Sequence, residues 1–237
     1  EGNIYDTSAN TYSITTGIDW NNDKLSSTSN ATIKNDTTIA NLRKAANNRG
    51  NNWYLMDIFA FSATQLLFAI EYGSFDSQSM IGQGFDGWSV TFATTGFTSS
   101  LGNSSGQAPN NTVTYRGQEN LWGNSWEILD GINVYADGTN SKAYISYFDF
   151  QDSIQTDPYF NVGFDLSQTT AYANAIGWSE ICDFMFLPTE ATGVATKPLH
   201  DGLRNSRETR GYKVFFVSGY GASPADGLFY ISVAEPI

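Results

Sequence analysis

Apolar positions recur with helical spacing only early in the chain, and they alternate with polar ones through most of the remainder. Ile39, Leu42, Ala45 and Ala46 share one helical face, with Thr38 before them and Gly50 beyond, which predicts a first helix beginning near Thr38. A second helix is predicted where Ser62-Ala-Thr-Gln65 reads as a capping box, a hydroxyl and an amide satisfying each other's backbone donors. Leu66, Leu67 and Ile70 then form its apolar face, and Gly73 stops it. The later chain reads as short strands: DGWSVTFATTG, NTVTYRG, GINVYADG, KAYISYFDF, GYKVFFV and GLFYISV, with Asp86-Gly87 and Asp137-Gly138 as turn signals. The opening NIYDTSANTYSIT predicts a strand pair or an edge strand. No internal repeat or proline-rich linker divides the chain. A single α+β domain over 1–237 is therefore expected, with two helices packed on short antiparallel sheets. Its loops are long, 99–111 for example, and long loops on a rigid frame are where binding concentrates.

Composition narrows the setting. With 41% hydrophobic and 15% aromatic residues, the chain can bury a sizeable core. Only 15% of residues are charged, so Asn, Ser, Thr and Gly must supply the polar surface, which suits a virion, extracellular or cell-surface protein. A formal charge of −12 and the lack of any basic stripe argue against nucleic acid or anionic membrane as partners. The most apolar run, YLMDIFAFSATQLLFAI, is too short for a membrane span and carries Asp57 and Gln65, so membrane insertion is not expected. The first residues show no secretory-signal pattern.

Candidate chemistry is sparse. Cys182 is the one cysteine, and its apolar setting, WSEICDFMF, reads as that of a buried small hydrophobe. His200 and Asp201 are adjacent, with no nucleophile in view. Asp149 and Asp152 read as solvated carboxylates that discourage edge pairing. Glu127 and Asp130 read as partners of nearby groups rather than as an acid–base pair. Trp20-Asn21-Asn22-Asp23 and Glu235-Pro236-Ile237 are fragments of calcium-ligand motifs. They stand at opposite ends of the chain, and the second lacks the amide that the motif needs. The expectation is no catalytic residue, no metal and no cofactor. Sequons at Asn30, Asn35, Asn103 and Asn110 match what chance supplies in so Asn-rich a chain.

Several separated segments share one pattern. YRGQENLWGNSWEILDGINV resembles the "GN-x-WEW" core segment of the formylglycine-generating-enzyme (sulfatase-modifying factor) branch of the C-type lectin fold. FSATQLLFAIEYGS is similar to that family's second helix, and IANLRKAANNRG sits where its first helix sits. GYKVFFVSGYGASPADGLFYISV resembles its C-terminal region, although the family's closing "GxR" has no counterpart here. The subset most resembled is the variable proteins of diversity-generating retroelements, with related phage and archaeal-virus tail proteins. The likeness covers 39–233. It implies a C-type lectin fold and a core role for Trp122 and Trp126, with sugar stacking by Trp122 the less favoured reading. It also implies a binding protein rather than an enzyme, because the branch's oxidising enzymes use paired cysteines.

In such variable proteins the C-terminal region is rewritten by adenine-specific mutagenesis. Asn-type codons changed at their adenines never yield Lys, Glu, Gln, Met or Trp, and none of these occurs over 214–234. The resemblance thus implies a variable ligand-binding region at about 200–234. Within it Gly219, Gly227, Leu228 and Phe229 are expected as scaffold. The candidates for display are Arg204, Asn205, Arg207, Tyr212, Phe216, Ser218, Tyr220, Gly221, Ala222, Ser223, Pro224, Asp226 and Tyr230. The expected partner is a protein or glycan receptor on a host or target cell, met from a virion tail or a cell surface. The alternative is a glycan-binding lectin or adhesin of the same fold without diversification. Oligomeric state stays open.

Overall fold

The computed structural model describes residues 2–87, 91–102, 104, 112–196, 199–219 and 223–237. Strand β1 (Asn3–Asp6) pairs antiparallel with both β2 (Thr11–Tyr12) and β3 (Lys24–Ser26), giving the order β2-β1-β3. Helices α1 (Ile39–Asn47), α2 (Ile58–Tyr72) and the short α3 (Ser77–Ile81) come next. Strands β4 (Thr114–Tyr115) and β5 (Gln118–Glu119) pair together. Beyond them lie β6 (Glu127–Ile128) and an antiparallel meander of β7 (Ile132–Ala136), β8 (Ser141–Ile145) and β9 (Phe160–Leu166). After β10 (Ala171–Tyr172), β11 (Ala175–Ile176) pairs with β12 (Pro188–Glu190). The chain closes with β13 (Gly202–Asn205), β14 (Gly211–Lys213), β15 (Phe216–Val217) and β16 (Ile231–Val233). Strand β14 joins the meander as β14-β7-β8-β9. The others form a five-stranded sheet, β10-β13-β16-β15-β6, antiparallel except where β13 meets β16.

The architecture is α+β, built from small, mostly antiparallel sheets and three helices among the described residues. The core fills where α2 and the tryptophan segment meet the strands. Trp122 is fully buried, its indole edge-on to Phe68 at 6.1 Å and its Nε1 donating to the Gly82 carbonyl at 3.0 Å. Val134, Ile145, Val162 and Leu166 supply the meander's inward side, alternating as a half-buried sheet requires.

The first helix starts as its sequence predicts, with Thr38 Oγ1 accepting from Asn41 N and Ile39, Ala45 and Ala46 buried. The second differs from its expectation twice. Asp57 is the N-cap, its carboxylate accepting from Ala60 N at 2.8 Å, so Ser62 lies inside the helix and is buried rather than capping. The inward face is Ile58, Phe61, Gln65 and Phe68, whereas Leu66, Leu67 and Ile70 face solvent at 38%, 44% and 71% exposure. The helix is apolar nearly all round, so its periodicity gives no single face to read, and the large rings take the core. Gly73 ends it in the left-handed region, φ 61°. No strand forms at the described residues of 86–96, while β9, whose register against β8 shifts between Lys142 and Tyr144, was not expected.

One buried ionic network ties α1 to the tryptophan segment. Arg43 Nε and Nη2 donate to the two Asp130 oxygens at 2.8 and 2.7 Å, and Nη1 donates to Asp152 at 2.6 Å. Asp152 is therefore an ion-pair partner rather than the solvated carboxylate expected from sequence. The Asp130 side chain is only 3% exposed, so removing its cation leaves an uncompensated buried charge. Arg43→Met is expected to lower unfolding free energy by about 3–5 kcal/mol in urea titrations. Adding Asp130→Asn should restore a large part of the loss, and additive losses in the double variant would contradict the network.

Candidate functional site

The five-stranded sheet has two unlike faces. In register, Leu203, Ile231 and Val217 form one row and are almost fully buried in the core. The alternate row runs Arg204, Ser232, Phe216, Ile128 and faces outward. Trp126 lies two residues before Ile128 on the same face. Its ring is 5.2 Å from that of Phe216, and the Arg204 guanidinium lies 5.4 Å from its centroid. Ser232, between Arg204 and Phe216 on this row, is completely buried. Arg204 also pairs with Glu235 at 3.4 Å.

This edge opens into a cleft of about 700 Å³. Its lining combines Trp126, Ile128 and Phe216 from the sheet edge, Trp53 to Met56, and Leu42 and Ala46 of α1. The Arg49 guanidinium sits 4.1 Å over the Trp53 ring, held by donation from Nη1 to the Leu25 carbonyl at 2.6 Å. Glu127 lines the cleft as well, and desolvation there pushes its carboxyl pKa upward. These groups equip the cleft for ring stacking, cation–π contact and hydrogen bonding.

The turn at 227–229 is held by buried side chains. Asp201, 1% exposed, accepts from Gly227 N at 3.1 Å and from Phe229 N at 2.8 Å. Ser77 Oγ accepts from Leu228 N, and Gln65 Nε2 donates to the Leu228 carbonyl. A Cβ at Gly227 would sit 2.5 Å from Ser77 Oγ and 2.7 Å from the Asp201 oxygens, and one at Gly219 would sit 2.3 Å from the Asp226 side chain. Both positions require glycine for close approach. Leu228 and Phe229 are fully buried.

The sequence-derived display set divides accordingly. Arg204 and Phe216 come together on the outward row, and Ser223, Pro224 and Asp226 are exposed or half-buried on the anchored turn. Tyr220, Gly221 and Ala222 lie outside the described residues. Three members are corrected from displayed to buried. Ser218 is wholly buried and donates to the Leu121 carbonyl, tying the turn to the tryptophan segment. Asn205 is 9% exposed, donating to the Ser167 carbonyl and within hydrogen-bond distance of Ser141 Oγ. Tyr230 is 7% exposed, where the chain turns inward to β16. Arg207 is half-buried, donating to the Gln168 carbonyl. Tyr212 sits in the other sheet, its ring 5.1 Å from that of Tyr135. Trp126, expected in the core, is half-buried at the cleft, because it immediately precedes the edge strand β6 and stacks beside Phe216 of the outward row. Sequence reasoning missed Trp53, Tyr54 and Arg49. The available signal was an aromatic pair in an Asn- and Gly-rich stretch with no apolar periodicity to absorb it.

Elsewhere, Cys182 is buried with its thiol pushed up to about 11, chiefly by desolvation, and His200 Nδ1 lies 3.6 Å from Asp76. Trp20-Asn21-Asn22-Asp23 belongs to a local turn in which Asp23 accepts from Thr7 N and Asp19 N. Among the described residues no cluster of three or more His, Cys, Asp or Glu could hold a metal ion, and no helix is long and apolar enough to cross a membrane. No protein-family model and no curated protein matches the chain.

Burial holds the Asp201 pKa well above the usual carboxylate range, with Asp76 and Asp226 adding to the effect. The folded state therefore binds this proton more tightly than the unfolded state does. The group's contribution to stability is fully present below the unfolded pKa and is lost as pH rises through the folded one. The melting temperature of the native chain, measured against Asp201→Asn, should rise as pH falls from neutral toward the ordinary carboxylate range, about pH 4. A difference that is flat or falls over that range would contradict a buried, proton-binding Asp201.

Proposed function

We propose that this chain is a ligand-recognition protein, a receptor-binding module displaying a substitution-tolerant surface on a C-type lectin scaffold, as in the variable proteins of diversity-generating retroelements. The observation that carries the reading is the separation of jobs around the C-terminal turn. Gly219, Gly227, Leu228 and Phe229 are fixed by close approach and burial, while Arg204 and Pro224 are exposed and Ser223 and Asp226 half-buried. The scaffold assignment is supported by the way the two most family-like segments meet. Strand β15 pairs with β6, Gly123 N donates to the Gly219 carbonyl at 2.9 Å, and Ser218 bonds Leu121. A surface of this kind works as a paratope does, with rigid aromatic and arginine contacts beside small adaptable residues. The partner is a protein or glycan receptor on a cell surface, approached from a virion tail or from another cell.

The oxidising chemistry of the formylglycine-generating branch has weaker support, because a thiol buried and shifted upward like that of Cys182 is a poor nucleophile. A lectin without diversification is favoured by a different feature, the aromatic cleft beside the turn.

Randomising Arg204, Ser223, Pro224 and Asp226 in a displayed library should leave most variants folded, each within about 0.5 kcal/mol of the parent by thermal denaturation. Gly227→Val and Gly219→Val should cost about 2–4 kcal/mol. Selection of that library against different immobilised cell-surface glycoproteins should return different side chains at the four positions. Losses at those positions as large as those at the glycines would sink the reading. At the gene level, a near-identical repeat differing from the coding sequence only at adenines is expected beside a reverse transcriptase gene.

A further inference from the structure

We infer that the cleft between Trp53-Tyr54 and the Trp126–Phe216 edge binds a neutral saccharide, which deepens the recognition reading and rests on it. Four features converge. The first is misplaced aromatic surface. The fold buries Trp122, Phe61, Phe68 and Phe229 almost completely, yet leaves Trp53 52% and Tyr54 64% exposed, side by side at the mouth of a concave space. Withholding that area from the core forgoes hydrophobic stabilisation of roughly 25 cal/mol for each Å². Exposed apolar surface lining a cleft is the usual mark of a contact site.

Second, the rings come from two separate parts of the fold. Trp53 and Tyr54 are carried by the chain after α1, while Trp126 and Phe216 are carried by the sheet edge, and all four line one cleft. A pyranose presents faces of slightly positive C–H groups, which suit the negative faces of aromatic rings. Third, the lining also contains the neutral polar side chains of Ser26, Ser27, Asn35 and Thr37, which offer donors and acceptors to a ligand's hydroxyls.

Fourth, the described lining cations are already engaged. Lys34 Nζ donates to the Asp36 carbonyl at 3.4 Å, and Arg49 is held by the Trp53 ring and the Leu25 carbonyl. The net charge of −12 also works against an anionic ligand such as a carboxylate, sulfate or phosphate. The volume, about 700 Å³, lies within the ordinary range for small-ligand sites. Apolar faces, many hydroxyls and no charge together describe a neutral sugar.

The test uses the full chain and a panel of short neutral oligosaccharides: β-1,4-glucan, β-1,4-mannan, α-1,4-glucan, β-1,4-galactan and chito-oligosaccharide, with sialylated and sulfated sugars alongside. Binding is read by calorimetry and by tryptophan fluorescence. At least one neutral sugar should bind with a Kd in the micromolar-to-millimolar range. Trp53→Ala and Tyr54→Ala should each weaken it by about tenfold or more, with melting temperature unchanged. Trp126→Phe, which keeps a ring on the sheet edge, should weaken it less than Trp126→Ala. Ile70→Ser, on the far face of α2, should leave it unchanged. No response to any neutral sugar, a preference for the anionic ones, or affinity indifferent to Trp53→Ala would each overturn the inference. If the displayed library still yields binders in any of those cases, the recognition reading stands and the sugar assignment alone fails. If sugars bind through Trp53 while the four randomised positions prove essential to folding, the display reading fails and a fixed sugar-binding cleft remains.

Discussion

Four buried hydrogen bonds, drawn from three distant parts of the chain, converge on Gly227–Phe229. Asp201 takes two backbone N–H groups, Ser77 takes a third, and Gln65 supplies the donor for the intervening carbonyl. Gln65 belongs to α2, Ser77 opens α3, and Asp201 immediately precedes β13, so the knot fixes the helical layer against the C-terminal sheet. Phe229 completes it from the apolar side, edge-on to Phe75 at 5.2 Å and Phe186 at 5.0 Å. The central strand of the five-stranded sheet, β16, begins two residues later, and its neighbours β13 and β15 carry Arg204 and Phe216. The outward row can therefore be no better placed than this knot.

A carboxylate buried to 1% exposure is an expensive way to hold a turn. Two backbone N–H bonds offset part of its desolvation, and the burial that remains uncompensated holds its pKa well above the usual carboxylate range. What the arrangement gains is specificity of placement. Backbone N–H groups are present whatever side chains the neighbouring residues carry, so the turn keeps its position when those side chains change. On the other arm the pin is partly a side chain: the Ser218 hydroxyl donates to the Leu121 carbonyl, while the Gly219 carbonyl accepts from Gly123 N. On the proposed reading, Ser218 is therefore kept while other side chains of the turn change.

The class of fold was legible because its signals are local. Thr38 as a cap, Gly73 as a stop, and the alternation in β7 and β8 all act through neighbouring residues, and the Asp137-Gly138 turn that joins these two strands does the same. The inward face of α2 was not legible, since a helix apolar on nearly every side is oriented by ring volume and by what it meets. The scaffold glycines and Leu228-Phe229 were readable as a pattern. The burial of Ser218, Asn205 and Tyr230 was not, because each is decided by a partner far away in sequence or by a strand turning inward. Trp126 shows the limit most clearly. Next to Trp122 it reads as core, yet their four-residue spacing crosses from the packed segment to the residue just before the edge strand β6, at the cleft.

On the proposed reading, that position gives Trp126 its importance. The cleft's aromatic platforms are Trp53, Tyr54 and Trp126, all outside the segment proposed to vary, whereas Phe216 and Arg204 lie within it and both touch Trp126. A surface built wholly of replaceable residues would have to regain its affinity with every change. One that keeps a fixed stacking platform retains a baseline contact, and the replaceable residues then need only discriminate among ligands that already fit. Because stacking on a ring face is tolerant of ligand identity while hydrogen bonds are not, the division assigns affinity to the constant residues and selectivity to the changing ones. The Arg204–Trp126–Phe216 stack is where the two meet, so a substitution at Arg204 or Phe216 alters not only its own contact but also the presentation of the platform beside it.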